Sequence, residues 1–354
     1  MNRSSQSVSQ KQGMTVQHDY RLATFSYRGH EYVGIQIAGW LIDLGPGYEY
    51  YKEMIGRHDF FKAKNNYVML DVLEEWDLFL GVFEEMTAFY QGVLDKDGSR
   101  PSFAYRPGEV KFLPPVVYPN KVLNAGSNFY DHALEMGAAR PVKEGHEPYF
   151  FYKGSRHTLI GHGDKIRLTP RSNYTDWEAE LAVIIGRYAR NVPVERALEY
   201  VAGYTCYNDI SARDRMIRKD ETFDYDWFAN KGNDTFAPIG PYLVPRQFIK
   251  DPQNLSIRCY VSGELMQDTH TNQMVWSVAE LIATASSVTT LSPGDVIATG
   301  TGAGVGMAKG IKVNHGEIGK VFVHMYAGKS RLLRPGDIVK VEIEGVGSLE
   351  NGVE

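Results

Sequence analysis

Cysteine is nearly missing from this 354-residue chain: Cys206 and Cys259 are the only two, far apart and outside any CxxC spacing. That pattern excludes a disulfide framework and a thiolate zinc site, and sets a reducing, cytoplasmic compartment as the expectation. Long apolar runs are missing too. Charges and glycines interrupt every apolar stretch before it reaches the ~18 residues of a spanning helix, so no membrane partner is expected. A basic excess is also absent, with 38 Lys+Arg against 43 Asp+Glu and a formal net charge of -5. Without a strongly basic segment there is no electrostatic footprint for nucleic acid. The first 18 residues carry Ser, Gln and Asn in place of the apolar segment of a secretory signal, which predicts a disordered tail over 1–18.

What is present is the 43% hydrophobic and 23% charged content of a soluble globular protein. Residues 20–44 alternate apolar and polar side chains about Arg28-Gly29, the pattern of a short antiparallel hairpin. From Glu75 to Val93, Trp76, Phe79, Leu80, Phe83, Met86 and Tyr90 recur at three- and four-residue steps, predicting an amphipathic helix that ends near Lys96-Asp97-Gly98. Pro114, Pro115 and Pro119 favour an extended linker. They divide the chain into a domain at 19–117 and another at 118–354. Two further helices are expected, one from Pro193 to about Val201 and one from Ser277 to about Thr290, the latter opened by a Ser277/Glu280 capping box. The phrases Leu291-Ser-Pro-Gly-Asp295 and Leu333-Arg-Pro-Gly-Asp337 read as one turn chemistry used at two strand entries. Helices scattered among many strands indicate an α+β, β-rich fold.

The most informative segment is Asp176-Trp-Glu-Ala-Glu-Leu-Ala-Val-Ile-Ile-Gly186. It enters a β-branched apolar run and reads as a buried strand, whose period of two puts Glu178 and Glu180 on one face. Two carboxylates so close to a buried strand need a cation, a proton or an arginine to stay there. Asp209, in Asn208-Asp-Ile-Ser-Ala-Arg-Asp214, follows the Pro193 helix and completes an all-oxygen set. Hard carboxylate donors without His or Cys favour Mg2+ or Mn2+, with Ca2+ also admissible. An exposed strand with ordinary acidic residues would give the same Glu-x-Glu spacing.

Several motifs in order resemble the fumarylacetoacetate hydrolase superfamily from Lys121 to the C-terminus. They are Asn124-Ala-Gly-Ser-Asn-Phe-Tyr-Asp-His-Ala-Leu-Glu135, Phe151-Tyr-Lys153, the two acidic segments above, Trp227-Phe-Ala-Asn-Lys231, Asp234-Thr-Phe-Ala-Pro-Ile-Gly-Pro241, Thr299-Gly-Thr-Gly-Ala-Gly-Val-Gly306 and Gly345-Val-Gly-Ser-Leu-Glu-Asn351. The resemblance implies mixed sheets rolled into a barrel-like core behind a small α+β N-terminal domain. It also implies a metal site at Glu178, Glu180 and Asp209, a homodimer, and a 2-oxo acid substrate of the kind met in aromatic catabolism. The reaction it suggests first is C–C bond hydrolysis of a 2,4-dioxo acid. Decarboxylation, hydration or isomerisation at the same metal and a catalytically silent metal-binding homologue are the alternatives.

By the same resemblance His132 is the base for water and Glu135, three residues on, orients it, although a solvated helix can carry the same pair. Lys231 is placed to meet a carboxylate or oxyanion, against the alternative of an exposed lysine. Thr301, Arg213 and Lys153 are the substrate-binding candidates. For Thr301 the hydroxyl and the amides of its glycine-rich loop are the implied donors, and a loop without a ligand is the competing reading. For Arg213 a supporting role beside the carboxylates is favoured. Against the family pattern, Met216 stands where many relatives have Gln, Gly302 where Pro is usual, and Asn128 where some have Asp. The 308–332 stretch is longer than usual.

Overall fold

The computed structural model describes residues 20–57, 64, 66–94, 100–218 and 224–354. Two tight turns organise the first strands. Arg28-Gly29 joins β1 (Arg21–Tyr27) to β2 (His30–Ile37), and Ala38-Gly39 joins β2 to β3 (Trp40–Asp43). Both residues of each turn have positive φ, 50° and 85° in the first and 48° and 81° in the second, the geometry whose twist matches the flanking strands. The expected hairpin is thus present, with Tyr27 paired to His30. Next come α1 (Leu44–Ile55), α2 (Met69–Glu74) and α3 (Trp76–Val93). α3 is the predicted amphipathic helix and buries Trp76, Phe79, Phe83, Met86 and Tyr90. Its expected stop signal at Lys96-Asp97-Gly98 and the 1–18 tail lie outside the described residues. After β4 (Ala104–Tyr105) and β5 (Lys111–Phe112), residues 113–121 form neither helix nor strand, as the prolines require, but they bend at 115–118 where an extended path was expected.

The second half opens with β6 (Val122–Gly126), α4 (Tyr130–Glu135), β7 (Tyr149–Tyr152), β8 (Leu159–Ile160), β9 (Lys165–Ile166) and β10 (Thr175–Asp176). β11 (Ala179–Ile185) is buried along its whole length, and β12 (Val201–Asn208) returns antiparallel beside it. The connection between them is the expected helix, of the 3-10 type, over Val194–Tyr200. Pro193 precedes it as the cap and its carbonyl accepts from the Arg196 N–H, the tighter three-residue hydrogen bond of a short return. The chain continues through β13 (Ser211–Ala212), α5 (Trp227–Lys231), β14 (Ala237–Pro245), β15 (Ser256–Val261) and β16 (Glu264–His270). It ends with α6 (Val278–Val288), β17 (Val296–Ala298), α7 (Ile318–Tyr326), β18 (Ile338–Ile343) and β19 (Gly347–Val353). The capping box of α6 forms: the Glu280 carboxylate accepts from the Ser277 N–H at 2.7 Å and the Ser277 hydroxyl from the Glu280 N–H at 3.3 Å. The two Pro-Gly-Asp phrases also share one geometry. Gly294 and Gly336 have φ of 86° and 90°, and Asp295 and Asp337 accept from the backbone N–H three residues earlier.

Twelve strands form one mixed sheet in the order β4-β3-β2-β1-β14-β12-β11-β17-β6-β7, with β5 attached to β1 and β8 to β14. A five-stranded sheet, β16-β15-β18-β19-β9, packs against it through a shared core that includes Leu181, Val183, Ile257 and Val341. The α+β, sheet-rich class is as expected. No closed barrel is found among the described residues: the large sheet is an open path with β4 and β7 at its ends. No described helix is long and apolar enough to cross a membrane.

Candidate metal centre and active site

Glu178 lies one residue before β11 and Glu180 is its second residue, so strand alternation turns both carboxylates to one side. β12 pairs with β11 through Ala179 and Asn208, which brings Asp209 alongside. Two hydrogen bonds fix the junction: the Asp209 N–H donates to the Glu178 carbonyl at 2.9 Å and the Glu178 N–H to Asn208 Oδ1 at 3.0 Å. One oxygen from each of Glu178, Glu180 and Asp209 lies within 4.8 Å of the others, and all three residues are buried. The predicted triad is therefore assembled.

Buried cations surround it unevenly. Lys231 Nζ is 2.7 Å from Glu178 Oε2 and 2.7 Å from Asp209 Oδ2. Arg213 Nη1 reaches Glu178 Oε1 at 2.7 Å while its Nε reaches Asp176 Oδ2 at 2.9 Å. Burial pushes the Glu178 carboxyl up, but Lys231, Arg213 and His132 outweigh it and hold it below its ordinary range. Glu180 forms no ion pair with a described cation, and Lys231 offsets its charge only in part. Its one direct hydrogen bond comes from the Gly300 N–H at 2.8 Å, and burial together with Asp209 and Glu178 pushes its carboxyl well up. A buried carboxylate in no described ion pair, beside two others, is the electrostatic condition that a divalent ion would relieve, and the all-oxygen donor set suits a hard one.

Lys153 does not line the cavity over the triad. Its ammonium donates to Asp209 Oδ1 at 2.5 Å and to the carbonyls of Ile210 and Phe236 at 3.0 and 2.5 Å. Burial pulls it down to about 8 against the pull of Asp209. It orients a carboxylate from behind. The Thr301 hydroxyl is likewise used inside the protein, donating to the Ala179 carbonyl at 3.0 Å and accepting from Gln267 Nε2 at 2.8 Å. The loop amides expected to meet a ligand meet the protein's own carboxylates: Gly300 donates to Glu180, Gly304 to Glu135, and Gly306 and Met307 to Asp176. Arg213 retains a buried Nη2 with no hydrogen-bond partner among the described residues.

His132 and Glu135 share α4, with Nδ1 2.7 Å from Oε1. The second Glu135 oxygen is fixed by Gly304 at 2.7 Å. Asp131 anchors the helix by accepting from the Thr269 hydroxyl at 2.6 Å. His132, the triad, Arg213, Lys231 and Thr301 all line one cavity of about 440 Å³. Its remaining wall is largely apolar and aromatic. Phe151 and Trp227 stack at 4.8 Å, Tyr225 stacks on Trp227 at 6.4 Å, and α7 contributes Ile318 and Phe322. Asp176 and Gln267 were missed in the sequence. Both are buried polar residues whose partners are distant in the chain, and only Asp176 carried a signal, its place at the head of the acidic segment.

Residues 121–354 match the model of the fumarylacetoacetate (FAA) hydrolase C-terminal family. The chain belongs to the fumarylacetoacetate hydrolase family. Among its relatives is a Xenopus laevis protein named oxaloacetate tautomerase, mitochondrial, 39% identical over 244 residues that make up 69% of this chain and 68% of the relative. Among solved structures, a fumarylacetoacetate hydrolase from Exiguobacterium antarcticum superposes with a TM-score of 0.67 at 28% identity, covering 95% of this chain and 99% of that one. A maleylpyruvate hydrolase from Sphingobium sp. SYK-6, in complex with manganese (II) ion and pyruvate, superposes with a TM-score of 0.63 at 26% identity over 94% of this chain and 98% of that one.

Gly302 and Asn128, set apart in the sequence, each have a physical account. At Gly302 a Cβ would lie 2.3 Å from Thr269 Oγ1 and 2.6 Å from its Cβ. The threonine that anchors Asp131 fills the space a larger residue would need. Asn128 uses both halves of its amide: Nδ2 donates to the carbonyls of Trp276 and Thr299 at 3.0 and 2.8 Å, and Oδ1 accepts from the Trp276 N–H at 2.8 Å. A carboxylate would lack the two donors. Met216 lines the cavity without offering a hydrogen-bonding amide, and the long 308–332 stretch supplies α7.

Proposed function

We propose that this protein is a divalent-metal-dependent enzyme that moves a proton at C3 of a 2-oxo acid and interconverts its keto and enol forms. The observation that carries the reading is His132, held by Glu135 at 2.7 Å and lining the same cavity as the three carboxylates. Glu178, Glu180 and Asp209 would hold Mg2+ or Mn2+, an assignment supported by the donor set and by the manganese in the maleylpyruvate hydrolase structure. Bound there, the ion would act as a Lewis acid on the 2-oxo carbonyl and offset the charge developing on its oxygen.

The remaining steps fall to this chain's side chains. A carboxylate accepting at Nδ1 places the ring proton there and leaves Nε2 of His132 as the base. Nε2 takes the C3 proton, the C–H pair becomes the C2–C3 double bond, and the carbonyl pair moves to oxygen. Returning the proton to that oxygen completes the enol. Arg213, which lines the cavity beside the triad, would be the cation nearest a substrate carboxylate. The 39% identity to an oxaloacetate tautomerase supports this order of preference.

Hydrolysis of a 2,4-dioxo acid is the second reading, favoured by the room in the cavity for an acyl group and a water beyond the chelating end. In it His132 would deprotonate the water attacking C4, and the C3–C4 bond would break with its pair going to C3. Wild-type protein with Mg2+ is expected to exchange C3 hydrogens of 2-oxo acids for deuterium in D2O, followed by NMR. His132→Ala should slow this by about 10²-fold or more. Stoichiometric release of pyruvate and a second acid from an acylpyruvate would make hydrolysis the activity; wild-type exchange no faster than the metal alone would remove the tautomerase reading.

A further inference from the structure

α4 is six residues long, too short to hold its own shape in water. The direction in which it presents His132 is therefore set by what grips its ends. The entry is gripped by the Asp131 carboxylate, which accepts from the Thr269 hydroxyl at 2.6 Å and from the His132 N–H at 2.8 Å. The exit leans on the long 308–332 stretch. Met136 closes the helix, its N–H donating to the His132 carbonyl at 3.1 Å. Its side chain is buried in one cluster with Val305, Met307 and Ala308 and with Val321 and Met325, the buried face of α7. One residue on, the Gly137 carbonyl accepts from the Gly316 N–H at 2.8 Å. Gly137 has φ of +71°, and a Cβ there would lie 2.9 Å from the Asn314 carbonyl oxygen and 3.1 Å from the Ile318 nitrogen. The two backbones meet with no room for a side chain between them.

The 308–332 stretch is itself anchored away from α4. The Ser330 hydroxyl donates to the Met307 carbonyl at 2.7 Å, and His324 Nε2 donates to the Lys309 carbonyl at 3.1 Å. Arg331 pairs with Asp337 at 2.7 Å, and Tyr326 meets Tyr174 edge-on with ring centroids 5.1 Å apart. A stretch tied down at its base and packed against the end of a short helix fixes where that helix points. We infer that α7 and the turn before it are the seat of α4, and that Gly137 and Met325 are positioning residues for His132. The inference rests on the proposed role of His132 as base and adds the element that holds it in place.

The test uses full-length protein with Mg2+ and three variants, Gly137→Ala, Met325→Ala and Met325→Leu. Amide hydrogen exchange by mass spectrometry follows peptides within 130–138 and 179–185, calorimetry gives the Mg2+ Kd, and NMR follows C3 exchange of pyruvate, 2-oxobutyrate and phenylpyruvate in D2O. In both alanine variants amide exchange over 130–138 is expected to quicken about tenfold or more while 179–185 is unchanged. The Mg2+ Kd should stay within about threefold, because the ligands sit on the sheet. For C3 exchange kcat should fall about tenfold or more with KM nearly constant, the mark of a base moved out of line. Met325→Leu, of similar volume, should restore both the protection and kcat. Wild-type protection over 130–138 in both alanine variants overturns the inference. So does loosening that spreads equally to 179–185, or loosening of 130–138 that leaves the kcat of an active enzyme unchanged. If wild type exchanges C3 in none of the three acids while the loosening stays confined to 130–138, the seat of α4 stands and the reading of His132 as the proton-transfer base falls.

Discussion

Glu180 is the member of the triad with no cation of its own, and that asymmetry separates metal binding from stability at a single residue. Glu178 and Asp209 are balanced by Lys231, Arg213 and Lys153, whereas Glu180 has the Gly300 N–H. In protein stripped with a chelator, Glu180→Gln keeps an acceptor for Gly300 and removes the unbalanced charge. Its melting temperature is expected to exceed that of stripped wild type, by a margin corresponding to about 1–3 kcal/mol. The order reverses with Mg2+. Wild type gains about 2.7 kcal/mol at a hundredfold excess over Kd, and Glu180→Gln gains little because a ligand is gone. Scanning calorimetry of four samples, two proteins each with and without Mg2+, checks the crossing. Parallel shifts in both proteins would show that Glu180 does not bind the ion.

At the scale of elements, the 299–307 loop works as a distributor of backbone donors, tying Glu180, Glu135 and Asp176 to one turn of chain. Gly304 has φ of +104°, and a Cβ there would lie 2.2 Å from the Met266 carbonyl oxygen. Gly304→Ala must therefore shift the backbone, at a cost of about 1–3 kcal/mol, and loosen Glu135 and through it His132. The expected result is at least a tenfold fall in C3 exchange with the Mg2+-induced rise in melting temperature retained, since the donor to Glu180 lies four residues away. Loss of both would mean that the loop acts as a single rigid unit. The loop also marks where sequence reading stops. Local patterns were sufficient for the Arg28-Gly29 hairpin, the α3 stripe, the Ser277/Glu280 cap and the Glu-x-Glu strand, because each is set by neighbours a few residues apart. Glycine density announced a tight loop at 299–307 but not the recipients of its amides, which are fixed by contacts more than a hundred residues away in the chain. Lys153, Thr301, Gln267 and Asn128 acquire their roles in the same non-local way, and α7 was signalled only by the length of its stretch.

For the whole molecule the question is whether the linker near residue 118 separates two units that fold independently. The chain path bends there, but the hydrogen bonding does not stop. β1 pairs with β14 through Leu22 and Leu243, and the N-terminal hydrophobic cluster includes Ile184, Ala202 and Leu243 from the other half. Strand β14 lies between β1 and β12, so removing the N-terminal strands would expose an interior edge and an apolar face together. Such continuity predicts one cooperative unit. Urea unfolding followed by far-ultraviolet circular dichroism and by tryptophan fluorescence should give coincident transitions, with Trp40 and Trp76 reporting one side and Trp177, Trp227 and Trp276 the other. Leu22→Ala and Leu243→Ala each remove a fully buried side chain from the shared layer and should each cost about 2–5 kcal/mol. Because the two residues are register partners, the double variant should cost less than the sum. A separate early transition, moved by Leu22→Ala and untouched by Leu243→Ala, would instead make the N-terminal strands an independently stable module laid against the sheet that carries the acidic triad.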